Sequence, residues 1–354
     1  MNAKALLLAL LLPAPALAQG LYGLAADAEG FALPRPGVPF EFPADHGAHP
    51  DYRIEWWYVT ANLRGEDGRD YGVQWTLFRS ALRPGEEGEA WTVPQIWMGH
   101  MGVTTPEAHH HAERFARAGT GQAGVEPEPF RAWIDEWSMA GPTPSEVRLQ
   151  AAGEAVAYDL RLEATGPFVP QGEGGYSVKS STGQASYYYS QPFYEVEGTL
   201  TLPEGEVAVT GTGWMDREWS SQLLDEGQTG WDWFSLVFDS GERLMTFRLR
   251  DEIRGDHTRA TWIAPDGTPT PYEDGAVTLT PLATHEVAGR DVPVRWRVEM
   301  PARGLDVTTE AVNPEAWMGT SFPYWEGPIR VSGTHEGRGY LEMTGYEPEE
   351  DRGG

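Results

Sequence analysis

Apolar and polar residues alternate with a period of two along most of this chain, the pattern of strands that bury one face. "EWWYVTANLRG" (Glu55–Gly65) and "RDYGVQWTLFRSAL" (Arg69–Leu82) alternate on either side of "EDG", which reads as a hairpin turn. The pattern returns in "PFRAWIDEWSMAG", "AVAYDLRLEATG", "FYEVEGTLTLPEGEVAVTGTGW" and "WFSLVFDSGERLMTFRLRD", with turns at "PEGE" and "DSGE". It continues through "RATWIAPDGTPT", "GAVTLTPLATHEV", "VPVRWRVEMPARGLDVTTEAV" and "YWEGPIRVSGTHEGRGYLEMTGY". Short strands at a spacing of roughly 8–12 residues, punctuated by Gly, Pro and Asp, predict an all-β protein of antiparallel barrels or sandwiches. One segment departs from it. "TPEAHHHAERFARAG" (Thr105–Gly119) has a Thr at the N-cap, Pro at the first position and Gly at the end, so it predicts a helix. The polar, Gly-containing run "QLLDEGQTG" marks a boundary between two strand sets near Ser220–Gly230.

The N-terminus adds a destination. "MNAKALLLALLLPAPALAQG" carries one Lys, an apolar run from Ala5 to Leu12 and the small-residue pattern Ala16-Leu17-Ala18, which reads as a signal peptide cleaved after Ala18. The apolar run is too short to cross a bilayer, and no later stretch resembles a membrane span. With no Cys in the chain, disulfides, thiolate metal ligands and a cysteine-linked lipid anchor are excluded. The expected location is the periplasm or the medium. The formal net charge of −27, which loses a further cation when Lys4 is cleaved away, disfavours nucleic acid and anionic lipid as partners. Acids are spread along the sequence, so the charge serves solubility. Fifteen Trp, 14 Tyr and 12 Phe supply either barrel cores or stacking faces for a ligand.

The stretch "VTGTGWMDREWSSQ" (Val209–Gln222) raises the chemical question: Asp216, Arg217 and Glu218 lie between Trp214 and Trp219 in a strand-like run. On a wet face these charges are ordinary. In a closed apolar cavity they are costly and point to chemistry. The sequence contains no G-x-S-x-G elbow, HExxH, P-loop or dinucleotide glycine fingerprint. His109, His110 and His111, read on a helix, point about 100° apart and cannot converge on one ion, so no metal or other cofactor is expected. His46, His49 and His100 stand alone near aromatic strands.

In order along the chain, "HPDYRIEWWYVTANL", "YGVQWTLFRSAL", "WMGHMGVTT", "AERFARAG", "GYSVKS", "ASYYYSQP", "GWMDREWSSQLL", "GWDWFSLVFDSGERLMTFRLRD", "YWEGPIRVSG" and "GYLEMTGY" together resemble the AttH-type branch of the carotenoid 1,2-hydratase and lipocalin-like superfamily, often labelled predicted secreted hydrolases. The resemblance runs from about His46 to Tyr346. It implies two lipocalin-like antiparallel β-barrel domains packed together, spanning 38–222 and 223–350 after a signal peptide over 1–18. It also implies a hydrophobic small-molecule ligand, terpenoid or lipid-like, and ABC-type permease components as a partner. Relatives hydrate isoprenoid double bonds or a phytoalexin, or cyclise polyenes between the barrels. The hydratases carry Asp-His-Asn-Trp where this chain has Asp216-Arg217-Glu218-Trp219, and arginine cannot shuttle a proton at neutral pH. They also use a Tyr and an Asp slightly downstream, where "LMTFRLRD" offers Phe247 and no acid before Asp251.

Protonating an unactivated alkene requires a carboxyl kept protonated by an apolar pocket, and aromatic faces to stabilise the cation. Candidate catalytic residues are therefore Asp216, Glu218 and His100. Trp56, Trp57, Tyr58, Tyr188, Arg217, Trp219, Trp231 and Trp233 are candidates for binding substrate, all gathered at one domain interface. Two functions fit: a cofactor-independent hydratase, isomerase or hydrolase, or a non-catalytic carrier of the same ligand. The bland alternative for Asp216 is half of a structural ion pair.

Overall fold

In the computed structural model, which describes residues 29–85, 93–222 and 224–346, the alternating segments pair into two antiparallel sheets. The expected signal peptide and its cleavage site lie outside the described residues. The first sheet has 13 strands: β1 (Ile54–Gly65), β2 (Asp70–Ala81), β3 (Gln95–Thr104), β4 (His109–Arg117), β5 (Ala123–Pro127), β6 (Phe130–Ile134), β7 (Trp137–Thr143), β8 (Glu146–Ala152), β9 (Ala157–Ala164), β10 (Val169–Pro170), β11 (Tyr176–Val178), β12 (Ala185–Leu202) and β13 (Gly205–Ser220). Its order is β4-β3-β2-β1-β13-β12-β9-β8-β7-β6-β5, with β10 and β11 pairing onto β12. The second has 10 strands: β14 (Gln228–Phe238), β15 (Arg243–Asp251), β16 (His257–Ile263), β17 (Pro269–Tyr272), β18 (Thr278–Val287), β19 (Arg290–Met300), β20 (Leu305–Ala311), β21 (Trp317–Met318), β22 (Tyr324–Gly333) and β23 (Gly337–Met343). Its order is β17-β16-β15-β14-β23-β22-β20-β19-β18, with β21 on β22. Both sheets curl. One closes nearly into a barrel and the other forms a half-barrel; β3 and β4 approach β6, bringing the two ends of the first sheet together.

The strand and turn reading of the sequence agrees with this architecture, including the hairpin between β1 and β2 and the turns after β12 and β14. The helix over Thr105–Gly119 does not form. Its residues build β4, paired along its whole length with β3, from Ile96↔Arg117 to Thr104↔His109. The cap chemistry is real but local: the Thr105 hydroxyl accepts from the N–H groups of Glu107 and Ala108 at 3.2 and 2.9 Å and closes a turn. A free edge on β3 then supplies backbone partners throughout the segment, and tertiary pairing overrides helix propensity. Among the described residues no helix is long and apolar enough to cross a membrane.

Each sheet has its own core. Trp57, Trp75, Trp97, Trp137 and Trp219 fill the first barrel, and Phe234, Trp262, Trp296 and Trp325 the half-barrel. A third cluster joins them: Tyr58, Tyr188 and Trp214 from the first sheet meet Trp233, Met245, Phe247 and Tyr340 from the second. Gly72 on β2 allows the sheets to close: a Cβ there would sit 2.5 Å from Pro328 Cδ and 2.9 Å from the Tyr340 hydroxyl.

Candidate functional site

Between the sheets lies a cavity of about 410 Å³, within the usual size range for small-molecule pockets. Its walls follow from strand alternation. On β1, Trp56 and Tyr58 face the cavity and Trp57 the barrel interior; across β13, Trp56 opposes Glu218, Tyr58 opposes Asp216 and Trp57 opposes Arg217. On β12, Ser186, Tyr188 and Ser190 take the same face as Asp216 and Glu218, whereas Tyr187 and Tyr189 turn inward. The half-barrel contributes Trp231 and Trp233 from β14, Phe247 and Leu249 from β15, Tyr324 from β22 and Glu342 from β23, together with Phe322.

Asp216 is buried against this cavity and forms no ion pair among the described residues. Tyr188 donates to its Oδ2 at 2.6 Å, and Ser190 and Trp214 Nε1 donate to its Oδ1 at 2.5 and 2.7 Å. Both hydroxyls are oriented to do so. Trp233 Nε1 donates to the Tyr188 oxygen at 3.2 Å and Gln171 Nε2 to Ser190 Oγ at 2.8 Å, leaving each O–H free for the carboxylate. Burial pushes the carboxyl up, the three donors pull it down, and burial wins, placing its pKa at about 7.

Facing it from the other sheet is Glu342, which accepts from Trp231 Nε1 at 2.6 Å. Burial, with the charges of Asp216 and Glu218 adding to it, raises this carboxyl to about 7 as well. Glu342 is directly opposed across the ladder by Glu326, a like-charge pairing that is unfavourable when both are ionised. The Tyr58 hydroxyl donates to Glu326 Oε1 and also reaches Glu342. One hydroxyl proton cannot serve two carboxylates, so the pair favours a state in which one of the two acids keeps its proton. Burial holds Glu326 well above the usual carboxylate range.

Glu218 differs: Lys179 Nζ lies 2.7 Å from its Oε1 and Ser186 donates to the same oxygen at 2.5 Å. That ammonium sits 4.5 Å from the Tyr188 ring centre and 4.8 Å from that of Phe247. Trp56, Tyr58, Tyr188, Trp231, Trp233, Asp216 and Glu218 are therefore brought together. The expected gathering at one interface fails for Trp57, Arg217 and Trp219, which turn into the first barrel because neighbouring strand residues point to opposite faces. There Arg217 lies 3.8 and 4.9 Å over the rings of Trp57 and Trp219 and pairs with Glu55 at 2.5 Å. Glu55 also pairs with Arg79. Burial alone would raise the Glu55 carboxyl, but the two guanidinium groups hold it well below the usual range. This is the structural ion pair considered for Asp216, built one face away. His100 is fully buried behind the cavity wall, with Tyr324 at 3.0 Å from Nδ1 and Glu113 at 3.0 Å from Nε2.

Glu342, Glu326, Tyr324 and Lys179 were not singled out in the sequence, although they sit in "GYLEMTGY", "YWEGPIRVSG" and "GYSVKS". The available signal was one acid two residues after a tyrosine, Tyr324/Glu326 and Tyr340/Glu342, on strands whose alternate residues are wholly apolar. Among the described residues no group of three or more His, Asp or Glu could hold a metal ion.

The chain belongs to the AttH-like family, whose pattern matches residues 33–346. An AttH protein from Nitrosomonas europaea is similar to it in structure, with 32% identity, a TM-score of 0.78, and coverage of 90% of this chain and 100% of that one. Kievitone hydratase from Nectria haematococca shares the fold at 15% identity, TM-score 0.65, over 90% of this chain and 97% of that one. CghA, crystallised with Sch210972, does so at 13% identity and a TM-score of 0.51, over 92% of this chain and 97% of that one. No curated protein matches the sequence.

Proposed function

We propose that this AttH-like protein is a cofactor-independent isomerase or hydratase that transfers a proton to a carbon–carbon double bond of a neutral, apolar, terpenoid-like or lipid-like molecule held between the two sheets. The observation that carries the reading is the pair Asp216 and Glu342: two carboxyls on facing sheets, each raised to about 7, with no cation against either among the described residues. Two such acids share close to one proton at neutral pH, so one can give a proton while the other takes one. Asp216, held by three donors, suits the accepting role; Glu342, held by one indole and a tyrosine shared with Glu326, suits the donating one. The indole N–H groups of Trp214, Trp231 and Trp233 are engaged by Asp216, Glu342 and Tyr188. The ring faces of Trp231 and Trp233 remain for the ligand, where a developing carbocation gains about 1–2 kcal/mol per desolvated ring. In an isomerase the base removes a neighbouring proton; in a hydratase it activates the incoming water. The names of two fold neighbours, a hydratase and a protein crystallised with a small molecule, accord with such a role. With its leader sequence, the protein is assigned to the periplasm or the medium, where an ABC-type permease would deliver or collect the ligand.

Deuterium labelling tests the chemistry even while the substrate is unidentified. Lipid extract from the producing cells is incubated with the protein in D₂O and searched by mass spectrometry for new carbon-bound deuterium. Labelling of an apolar metabolite is expected, reduced by about 10²–10⁴ in Asp216→Asn and Glu342→Gln. A ligand that co-purifies yet never acquires deuterium would identify a carrier instead.

A further inference from the structure

The polar groups behind Glu342 form a single file. The Tyr58 hydroxyl touches both Glu342 and Glu326. Glu326 is fully buried; its Oε2 lacks a well-aligned partner, although its side chain interacts with that of Tyr324. The Tyr324 hydroxyl lies 3.0 Å from His100 Nδ1, and His100 Nε2 lies 3.0 Å from Glu113 Oε1. Glu113 retains 19% of its side-chain surface, and Ser321 donates to it from both N–H and O–H, at 3.1 and 2.7 Å. The file begins in the cavity and ends in water on the outer side of β4. One assignment of hydrogens suits the file when Glu342 is loaded. Protonated Glu342 donates to Tyr58, Tyr58 to Glu326 Oε1, the Glu326 carboxyl proton lies on the side of Tyr324, and Tyr324 donates to Nδ1 of a neutral His100 whose Nε2–H donates to the Glu113 carboxylate. Burial lowers His100 despite the pull of Glu113, in keeping with that neutral ring.

We infer that Tyr58, Glu326, Tyr324, His100 and Glu113 form a proton relay that exchanges protons between Glu342 and the solvent without passing through the ligand cavity. The relay rests on the proposed proton-transfer reading of Glu342 and adds the route by which that acid is reloaded. When Glu342 gives its proton to a ligand, the hydroxyls and the Glu326 carboxyl turn their hydrogens inward and the His100 ring turns its N–H toward Tyr324. Tyr58 then gives its proton to Glu342 and takes one from Glu326, Glu326 takes one from Tyr324, Tyr324 takes that ring N–H, and the ring nitrogen now facing Glu113 takes up a solvent proton through it. Each group loses one proton and gains one, so only the termini change: a solvent proton enters at Glu113 and Glu342 is neutral again. The five side chains are positioning residues; none needs to touch the ligand. A ligand that fills the cavity excludes water from its mouth, so a reload path through the wall lets the acid recover before product leaves.

Infrared spectroscopy tests the path directly, because a protonated buried carboxyl has its own C=O band that shifts when COOH becomes COOD after mixing into D₂O. The band of Glu326 is assigned by its loss in Glu326→Gln. Tyr58→Phe cuts the file on the cavity side and His100→Gln on the solvent side, the amide keeping two polar atoms but unable to relay. Glu326 is expected to exchange rapidly in the wild type and in Tyr58→Phe. In the double variant exchange should slow by roughly a hundredfold or more, toward the rate of local opening of the fold. Should His100→Gln fail to fold, as judged by circular dichroism and melting, Glu113→Gln takes its place. Equal exchange in all three proteins would overturn the relay. So would a Tyr58→Phe variant already as slow as the double, or a wild type with no protonated Glu326 band near neutral pH. None of these readings requires turnover. Failure of deuterium labelling with intact exchange would sink the proposed reaction and leave the path standing; the reverse result would sink the path alone.

Discussion

Replacing Asp216 by Asn should stabilise this protein at alkaline pH and not at acid pH. The folded carboxyl is raised from 3.8 to about 7, a shift of about three units at about 1.4 kcal/mol each, so of order 4 kcal/mol. Its sign is the reverse of the common carboxylate case. Between the two pKa values the folded state keeps a proton that the unfolded chain has released, so stability falls as pH rises through that window. Above about 7 the full cost of a buried anion is present; below about 4 both states are protonated and it vanishes. Asparagine carries no charge at any pH. Its amide keeps one acceptor for Ser190 and Trp214 but turns a donor toward Tyr188, which loses its acceptor at a pH-independent cost of about 1–3 kcal/mol. The variant should therefore be less stable than the wild type near pH 3.5 by roughly that cost, and should gain on it steadily until the curves level above pH 8. Urea unfolding at half-unit pH intervals, with free energy extrapolated to water, measures the difference curve. Parallel curves would refute the reasoning, since they would mean that Asp216 titrates alike in the folded and unfolded states. The partner acid adds an internal check: Asp216 is one of the charges raising Glu342, so combining Asp216→Asn with Glu342→Gln should give less than the sum of the two single effects.

Three further outcomes follow from the same geometry. Glu55→Gln removes the only acid paired with both Arg79 and Arg217 in the described residues, so it should cost about 3–5 kcal/mol by stranding buried cations, while the infrared bands of the cavity carboxyls stay in place. Tyr188→Phe deletes the donor to Asp216 Oδ2 and should raise the Asp216 pKa by about one unit; a downward move of its carboxyl titration would contradict the placement of that hydroxyl. N-terminal analysis of protein recovered from the periplasm should read from Gln19, and retention of Met1–Leu17 would dismiss the leader.

The strands were readable in the sequence because alternation needs only local information. The two sheets were readable because motifs in fixed order carried the family. The helix over Thr105–Gly119 failed for a reason no local pattern contains: β3 offers an unpaired edge, and backbone groups paired with it outweigh a good cap and an Ala-rich run. The candidate site was legible by residue type and only half legible by face. "DREW" was recognised as unusual, but with a two-residue period only every other member can reach a given cavity, and the sequence does not say which sheet lies on which side. Knowing that Trp57 and Trp219 belong to the barrel core would have assigned Arg217 inward and Asp216 outward at once. Glu326 and Glu342 were faint for a complementary reason. Each is a single acid two residues after a tyrosine, and it is the ladder register that sets the two opposite one another.

Strand β13 accounts for how one short run holds both extremes of acid behaviour. Its inward face places Arg217 where Glu55 can meet two guanidinium groups, and the acid is ionised throughout the physiological range. Its outward face, one residue away on either side, gives Glu218 the one lysine of the described chain and gives Asp216 only neutral donors. Burial is nearly the same for all of them; what differs is the presence of a cation within contact. Cations settle Glu55 in advance, whereas the absence of one leaves Asp216 and Glu342 free to exchange protons near neutrality and burial holds Glu326 well above the usual carboxylate range. The arginine that replaces the histidine of the hydratase motif then has a clear consequence. It cannot carry protons, and it faces away from the cavity, so proton handling in this chain falls to the carboxyls and to the tyrosines that join the two sheets.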